Sequence, residues 1–127
     1  MDSVVHFEIP ADDVKRASAF YKKAFGWDLT KYEGDMEYWM VSTTEVTDQG
    51  MPKNPGAING GMGARGGPLK APVVTIAVKD IDKTIATVEK LGGKAVGKKQ
   101  SIGEMGFTAY FKDSEGNVMG LWQSAQA

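Results

Sequence analysis

The chain has no cysteine and a single histidine, His6, among its 127 residues. Without cysteine there is no disulfide, no thiolate nucleophile and no cysteine-ligated zinc or iron–sulfur centre, so His, Asp and Glu are the only strong metal ligands left. One histidine makes that supply thin. An excess of one charge is missing too: 15 basic residues stand against 16 acidic ones, and a net charge of -1 gives no electrostatic footprint for nucleic acid or an anionic membrane. No stretch approaches the ~20 apolar residues of a spanning helix, and no apolar run of signal-peptide length follows the acidic start Met1-Asp2-Ser3. The expectation is a cytoplasmic protein with no nucleic-acid or membrane partner. Its length suits about one domain, able to bury roughly two-thirds of its unfolded surface.

What the chain does have is a plan used twice. In VVHFEIP, residues 4–10, alternation puts Val5, Phe7 and Ile9 on one face and Val4, His6 and Glu8 on the other, as in a half-buried strand ended by Pro10. ADDVKRASAFYKKAFG follows as an amphipathic helix. Asp12 or Asp13 is the N-cap, Val14, Ala17, Phe20, Tyr21 and Ala24 form its apolar stripe, and Gly26 lies just past its end. Three extended runs come next, WDLTKYE at 27–33, MEYWMVSTT at 36–44 and a short one around AINGGM at 57–62, separated by Gly, Asp and Pro turn signals. The second half repeats this. VVTIAV (73–78) matches VVHFEI (4–9), and DIDKTIATVEKLGG (80–93) matches DVKRASAFYKKAFG (13–26), with Ile81, Ile85, Val88 and Leu91 as its stripe. KAVGKKQS, GFTAYFKD and NVMGLWQS are three further strand-like runs, with SEG at 114–116 as a turn. The expected fold is α+β, two tandem βαβββ modules at about 1–65 and about 71–125, joined by the Gly/Pro-rich stretch GARGGPLKAP at 63–72. Each module is expected to offer one sheet face to its helix and the other to a cleft formed with the second module.

The strand opening VVHFEIPADDVKRASAFYKKAFGW, the internal repeat and the closing FKDSEGNVMGLWQ together resemble the vicinal oxygen chelate superfamily, which has the glyoxalase/bleomycin-resistance/dioxygenase fold. The resemblance covers essentially the whole chain. It implies four ligand positions, on the first and last strand of each module. The first-strand position of the first copy holds His6, and its counterpart in the second copy is Thr75. The last-strand position, usually Glu, falls on Gly120, with Gly60 as its match in the first copy. One of four positions is thus filled, whereas a divalent metal needs three or more protein ligands to hold its geometry. The expectation is no cofactor; a divalent metal would have an incomplete ligand set, His6 being its one ligand, unless Glu8 on the same strand face or a second subunit helped.

The resemblance implies that His6, Thr75 and Gly120 line the cleft, and counting in the strand period from Gly120 adds Trp122, with Tyr110 and Thr108 in the preceding strand, Tyr38 and Met40 in the first copy, and Glu104 reaching in from GEMG at 103–106. The glycines are expected to leave space on the floor of the cleft, and the aromatics to suit a small organic or planar ligand. If chemistry occurs, His6 is the candidate general base, with Glu8 or Tyr110 as acid. A carboxylate beside His6 would favour the imidazolium, and burial the neutral ring. VTDQGMPKNPG at 46–56 is long enough for a lid, Arg65 could orient a carboxylate or a dimer contact, and GARGG is no phosphate loop because no GK[ST] ends it. Three functions remain open. The first is a metal-independent small-molecule binder of the glyoxalase/bleomycin-resistance type. The second is a lyase, isomerase or epimerase related to lactoylglutathione lyase and using His6 with or without a metal. The third is a homodimeric interaction protein with no ligand. A homodimer is expected in each case.

Overall fold

A computed structural model describes residues 1–34 and 36–125. It contains β1 (Val4–Ala11), α1 (Val14–Phe25), β2 (Asp28–Lys31), β3 (Tyr38–Ser42) and β4 (Gly60–Ala64), then β5 (Val73–Ala77), α2 (Ile81–Lys90), β6 (Lys94–Ile102), β7 (Gly106–Lys112) and β8 (Val118–Ser124). The order βαβββ therefore occurs twice, in an α+β fold. The chain divides into two compact units, His6–Pro72 and Val73–Ala127, the latter joined by Met1–Val5, where Ala77 N donates to Ser3 O at 2.9 Å.

In the first unit the strand order is β2-β3-β4-β1, with β1 and β4 parallel and the other pairs antiparallel. Alternation sends Phe7, Ile9 and Ala11 of β1, Trp39 and Val41 of β3 and Met62 of β4 to the helix side, where Val14, Ala17 and Tyr21 pack against them. Tyr21 stacks on Trp27 with ring centroids 4.9 Å apart. Asp13 is the N-cap, its carboxylate accepting from Arg16 N at 3.0 Å, and Gly26 ends the helix at φ 77, donating to Lys22 O. The apolar stripe is narrower than its sequence suggests. Phe20 and Ala24 lie on its outer flank, and Phe20 is 61% exposed.

In the second unit the order is β5-β8-β7-β6, with β5 and β8 parallel. Val78, Ile81, Ala109, Phe111 and Leu121 form its core, flanked by Ile85 and Val88. Asp80 caps α2 by accepting from Lys83 N, and Gln123 of β8 accepts from Ile81 N at 2.8 Å, so two of the helix's unpaired N-terminal donors are satisfied. Leu91, expected on the stripe, falls beyond the helix's last full turn and is exposed. Along β6 the pairing jumps from Val96↔Tyr110 to Gln100↔Thr108, so residues 97–99 bulge out of the ladder at Gly97, whose φ is 73.

The segment 46–56 closes on itself, with Thr47 N donating to Met51 O and Lys53 N to Glu45 O, and its base is pinned by Asn59 Oδ1, which accepts from Thr43 N and Thr44 N. Arg65 is committed to its own unit, donating from Nε to Asp12 at 3.0 Å and from Nη1 to Lys70 O at 2.8 Å.

Candidate functional site

On the helix-free face of the first unit, β1 presents His6 and Glu8 and β3 presents Tyr38 and Met40, the partners of Phe7, Ile9, Trp39 and Val41 by alternation. The residues of β4 on this face are Gly61 and Gly63, because Glu8 pairs with Gly61 and Pro10 with Gly63. Gly60, the sequence-based match to Gly120, is on the opposite face. A Cβ built there would stand 2.5 Å from Phe7 O and 2.6 Å from the Phe7 ring. A slip of one residue in a strand exchanges the two faces, and the run of glycines in AINGGMG offers no side chain by which the sequence could fix that register.

The space above Gly61 is not vacant. A Cβ at residue 61 would collide with the Tyr38 hydroxyl and ring, so Tyr38 crosses over β4 where that strand has no side chain, and its Oη lies 3.0 Å from His6 Nε2. The direction of this bond follows the imidazole tautomer. Farther along the strand, a Cβ at residue 63 would stand 3.3 Å from the buried Leu69. Gly61→Ala is expected to displace Tyr38, break its bond to His6 and cost about 1–3 kcal/mol by overpacking. Urea unfolding of Gly61→Ala, Tyr38→Ala and the double variant should show strong coupling, because the atoms nearest to an alanine Cβ at 61 all belong to Tyr38.

Burial holds the His6 imidazole below its ordinary pKa, and the Glu8 carboxylate pulls the other way with less effect. The ring is therefore neutral at neutral pH. Since the unfolded chain takes up a proton near pH 6.5 and the folded chain only at lower pH, the contribution of His6 to stability is full above about pH 6.5 and falls as the pH drops through the folded value. Melting temperature should decline on acidification below that pH, and His6→Gln should flatten this decline. Glu8, on the same face, is 8% exposed.

The second unit gathers the other candidates on its helix-free face. Across the sheet, Thr75 pairs with Gly120 and Gly120 with Tyr110, while in the adjoining row Ala77 pairs with Trp122 and Trp122 with Thr108. Thr108 Oγ1 donates to Leu121 O at 3.2 Å. Trp122, Tyr110 and Thr108 are half-buried and Thr75 is buried. Here too the glycine leaves no void: a Cβ at residue 120 would stand 2.7 Å from Thr75 Oγ1. Glu104 is apart from these residues, exposed at the tip of the β6–β7 turn. The sequence did not reveal that Gly61 and Gly120 each accommodate a neighbouring strand's side chain, although glycine within a strand is the signal for such close approach.

These residues do not fit the metal centre of the resembled superfamily. In the first unit the position offers one imidazole, with Nε2 already engaged by Tyr38; in the second it offers the Thr75 hydroxyl beside Gly120. Among the described residues no three His, Asp or Glu side chains stand together as a metal-binding group. What the faces provide is a Tyr–His pair in the first unit and, in the second, an indole and a phenol ring beside threonine hydroxyls.

A family profile described as bleomycin resistance protein-like N-terminal matches residues 3–44, which span β1 through β3. A glyoxylase-like domain-containing protein of Didymella fabae is 31% identical over 118 residues, covering 87% of this chain and 85% of the relative. Among solved structures, a variant of Streptomyces coelicolor methylmalonyl-CoA epimerase in complex with 2-nitronate-propionyl-CoA aligns with a TM-score of 0.68 at 15% identity, covering 96% of each chain. A Bacillus halodurans protein of undefined role aligns at 0.67 and 13% identity, covering 97% of this chain and 94% of the other. The repeated βαβββ order, the fold shared along almost the whole chain and a relative similar over most of it lead to one assignment: the chain belongs to the glyoxalase/bleomycin-resistance-like family of the vicinal oxygen chelate superfamily.

Proposed function

We propose that the protein binds a small organic molecule without a metal, on the helix-free face of the second unit around Trp122, Tyr110 and Thr108. The observation that carries this is the Thr75–Gly120 pair, in which the threonine side chain occupies the volume a ligating residue at 120 would need. The half-buried indole of Trp122 beside the Thr108 hydroxyl offers a stacking surface with a polar group at its edge, which suits a planar or aromatic ligand. A thermal-shift titration with aromatic and thiol-conjugated compounds, run with and without EDTA, tests this. A saturable rise in melting temperature is expected, unchanged by EDTA and weakened at least about tenfold by Trp122→Ala. Stabilisation that EDTA abolishes would refute it.

A second function, proton transfer of the isomerase or epimerase type, is favoured by one observation. Burial keeps His6 unprotonated at neutral pH, as a general base must be, and a tyrosine hydroxyl is bonded to it. Some structural neighbours are methylmalonyl-CoA epimerases, and at 15% identity their likeness is one of fold. Turnover of a carbon acid, lost in both His6→Gln and Tyr38→Phe, would select this function over simple binding.

A further inference from the structure

Beside the bulge at residues 97–99, a cavity of about 120 Å³ lies between α2 and the edge strand β6 on the helix side of the second unit. Ile81 and Ile85 of α2 and Ala95 and Ala109 of the sheet give it apolar walls, while Asp82 and Lys99 also border it. Lys99 Nζ donates to Asp82 Oδ2 at 2.8 Å and lies 4.9 Å from the centroid of the Phe107 ring. Val96 and Gln100 pair with Tyr110 and Thr108, in rows that alternation turns away from α2; the irregularity at Gly97, whose φ is 73, lets Lys99 reach Asp82.

The chemistry of this cavity defines its occupant. An enclosed apolar cavity of about 150 Å³ accepts benzene; this one is smaller, at about 120 Å³, but it opens to solvent at Asp82, whose side chain is 71% exposed, so a single small ring can seat its apolar edge inside and keep a polar end at the rim. The border is neutral overall because its carboxylate and ammonium compensate each other, so a charged ligand gains no net attraction. Yet both groups have hydrogen-bonding capacity left: the ammonium keeps two N–H donors, and Asp82 Oδ1 has no hydrogen-bond partner among the described residues. A hydroxyl both donates and accepts, so a small neutral ring that bears one can engage both groups at once. We propose that this cavity is a binding site for small neutral hydroxyl compounds of the phenol class, with the ring against Ile81, Ile85, Ala95 and Ala109 and the hydroxyl between Asp82 and Lys99. Tyr110, which the function proposed for the opposite face also uses, borders this cavity as well, whereas Trp122 and Thr108 do not, so the two sites are told apart at Trp122.

The test is a titration of the intact chain with phenol, followed by amide and methyl chemical shifts. Saturable changes are expected at Ile81, Ile85, Ala95, Gly97 and Ala109, with toluene binding roughly tenfold more weakly because it lacks the hydroxyl. Ala95→Ile fills the cavity and should abolish the changes. The exposed Lys99→Met, which leaves the core untouched and so guards against a variant that merely unfolds, should erase the preference for phenol over toluene. Changes centred on Trp122, absence of saturation, or equal affinity for phenol and toluene in the unaltered chain would overturn the proposal.

Discussion

Gly120→Glu is expected to destabilise the protein by about 3 kcal/mol or more and to create no metal site. Glutamate is the residue that the superfamily usually keeps at this position, so a naive restoration should regenerate a ligand. The surroundings forbid it. Residue 120 is buried, its Cβ would press to 2.7 Å from Thr75 Oγ1, and Thr75 is itself 5% exposed. The carboxylate would enter beside a hydroxyl rather than a cation, leaving a charge without compensation in the sheet. Urea unfolding should show a lower midpoint, and calorimetry with zinc should show no new saturable site. The smaller Gly120→Ala isolates the steric part. Combining it with Thr75→Ala should recover part of its loss, because the two side chains contend for one volume.

Leu121→Ala, one residue along the same strand, should cost about 2–5 kcal/mol by a different route. Leu121 is 1% exposed and packs with Val78, Ile81, Ala109 and Phe111 beneath α2. Truncation removes transfer energy and leaves a cavity that the rigid strands β7 and β8 cannot close. The urea midpoint should fall with an unchanged m-value, since the fold and the area it exposes on unfolding stay the same. Leu91→Ala makes the contrast. Leu91 is 76% exposed, and its loss should stay within about 0.5 kcal/mol. Two leucines in the same unit thus differ severalfold because one lies under a helix and the other beyond its end.

Much of the fold was legible because strand alternation and helical spacing are direct consequences of backbone geometry. Phe7 and Ile9 face the helix and His6 and Glu8 face away, as the period of two requires. The cap at Gly26, and an N-cap at Asp12 or Asp13 that the structure resolves to Asp13, were readable for the same kind of reason, left-handed backbone in one case and a side-chain acceptor in the other. Legibility failed where side chains gave no register. In β4 the glycines left Gly60 and Gly61 indistinguishable by pattern, and only the pairing of Glu8 with Gly61 decides between them. Glycine was also taken as empty space, when the hole at 61 is filled by Tyr38 and that at 120 by Thr75. Such filling depends on which strands pair and in what register, which no local spacing encodes. The sequence offered Glu8 or Tyr110 as the acid beside His6, whereas it is Tyr38 that bonds to the ring, and burial outweighs the Glu8 carboxylate. The bulge at 97–99 was hidden because KAVGKKQS alternates poorly and Gly97 serves as readily in a plain edge strand.

The decisive measurement is calorimetric titration of the purified, EDTA-stripped chain with zinc, manganese and nickel, paired with elemental analysis of the protein as isolated. If the ligand positions have been given over to Tyr38, Thr75 and the glycines they cover, the protein carries substoichiometric metal and shows no saturable site that depends on His6. One equivalent of metal bound per chain, and lost in His6→Ala, would contradict it.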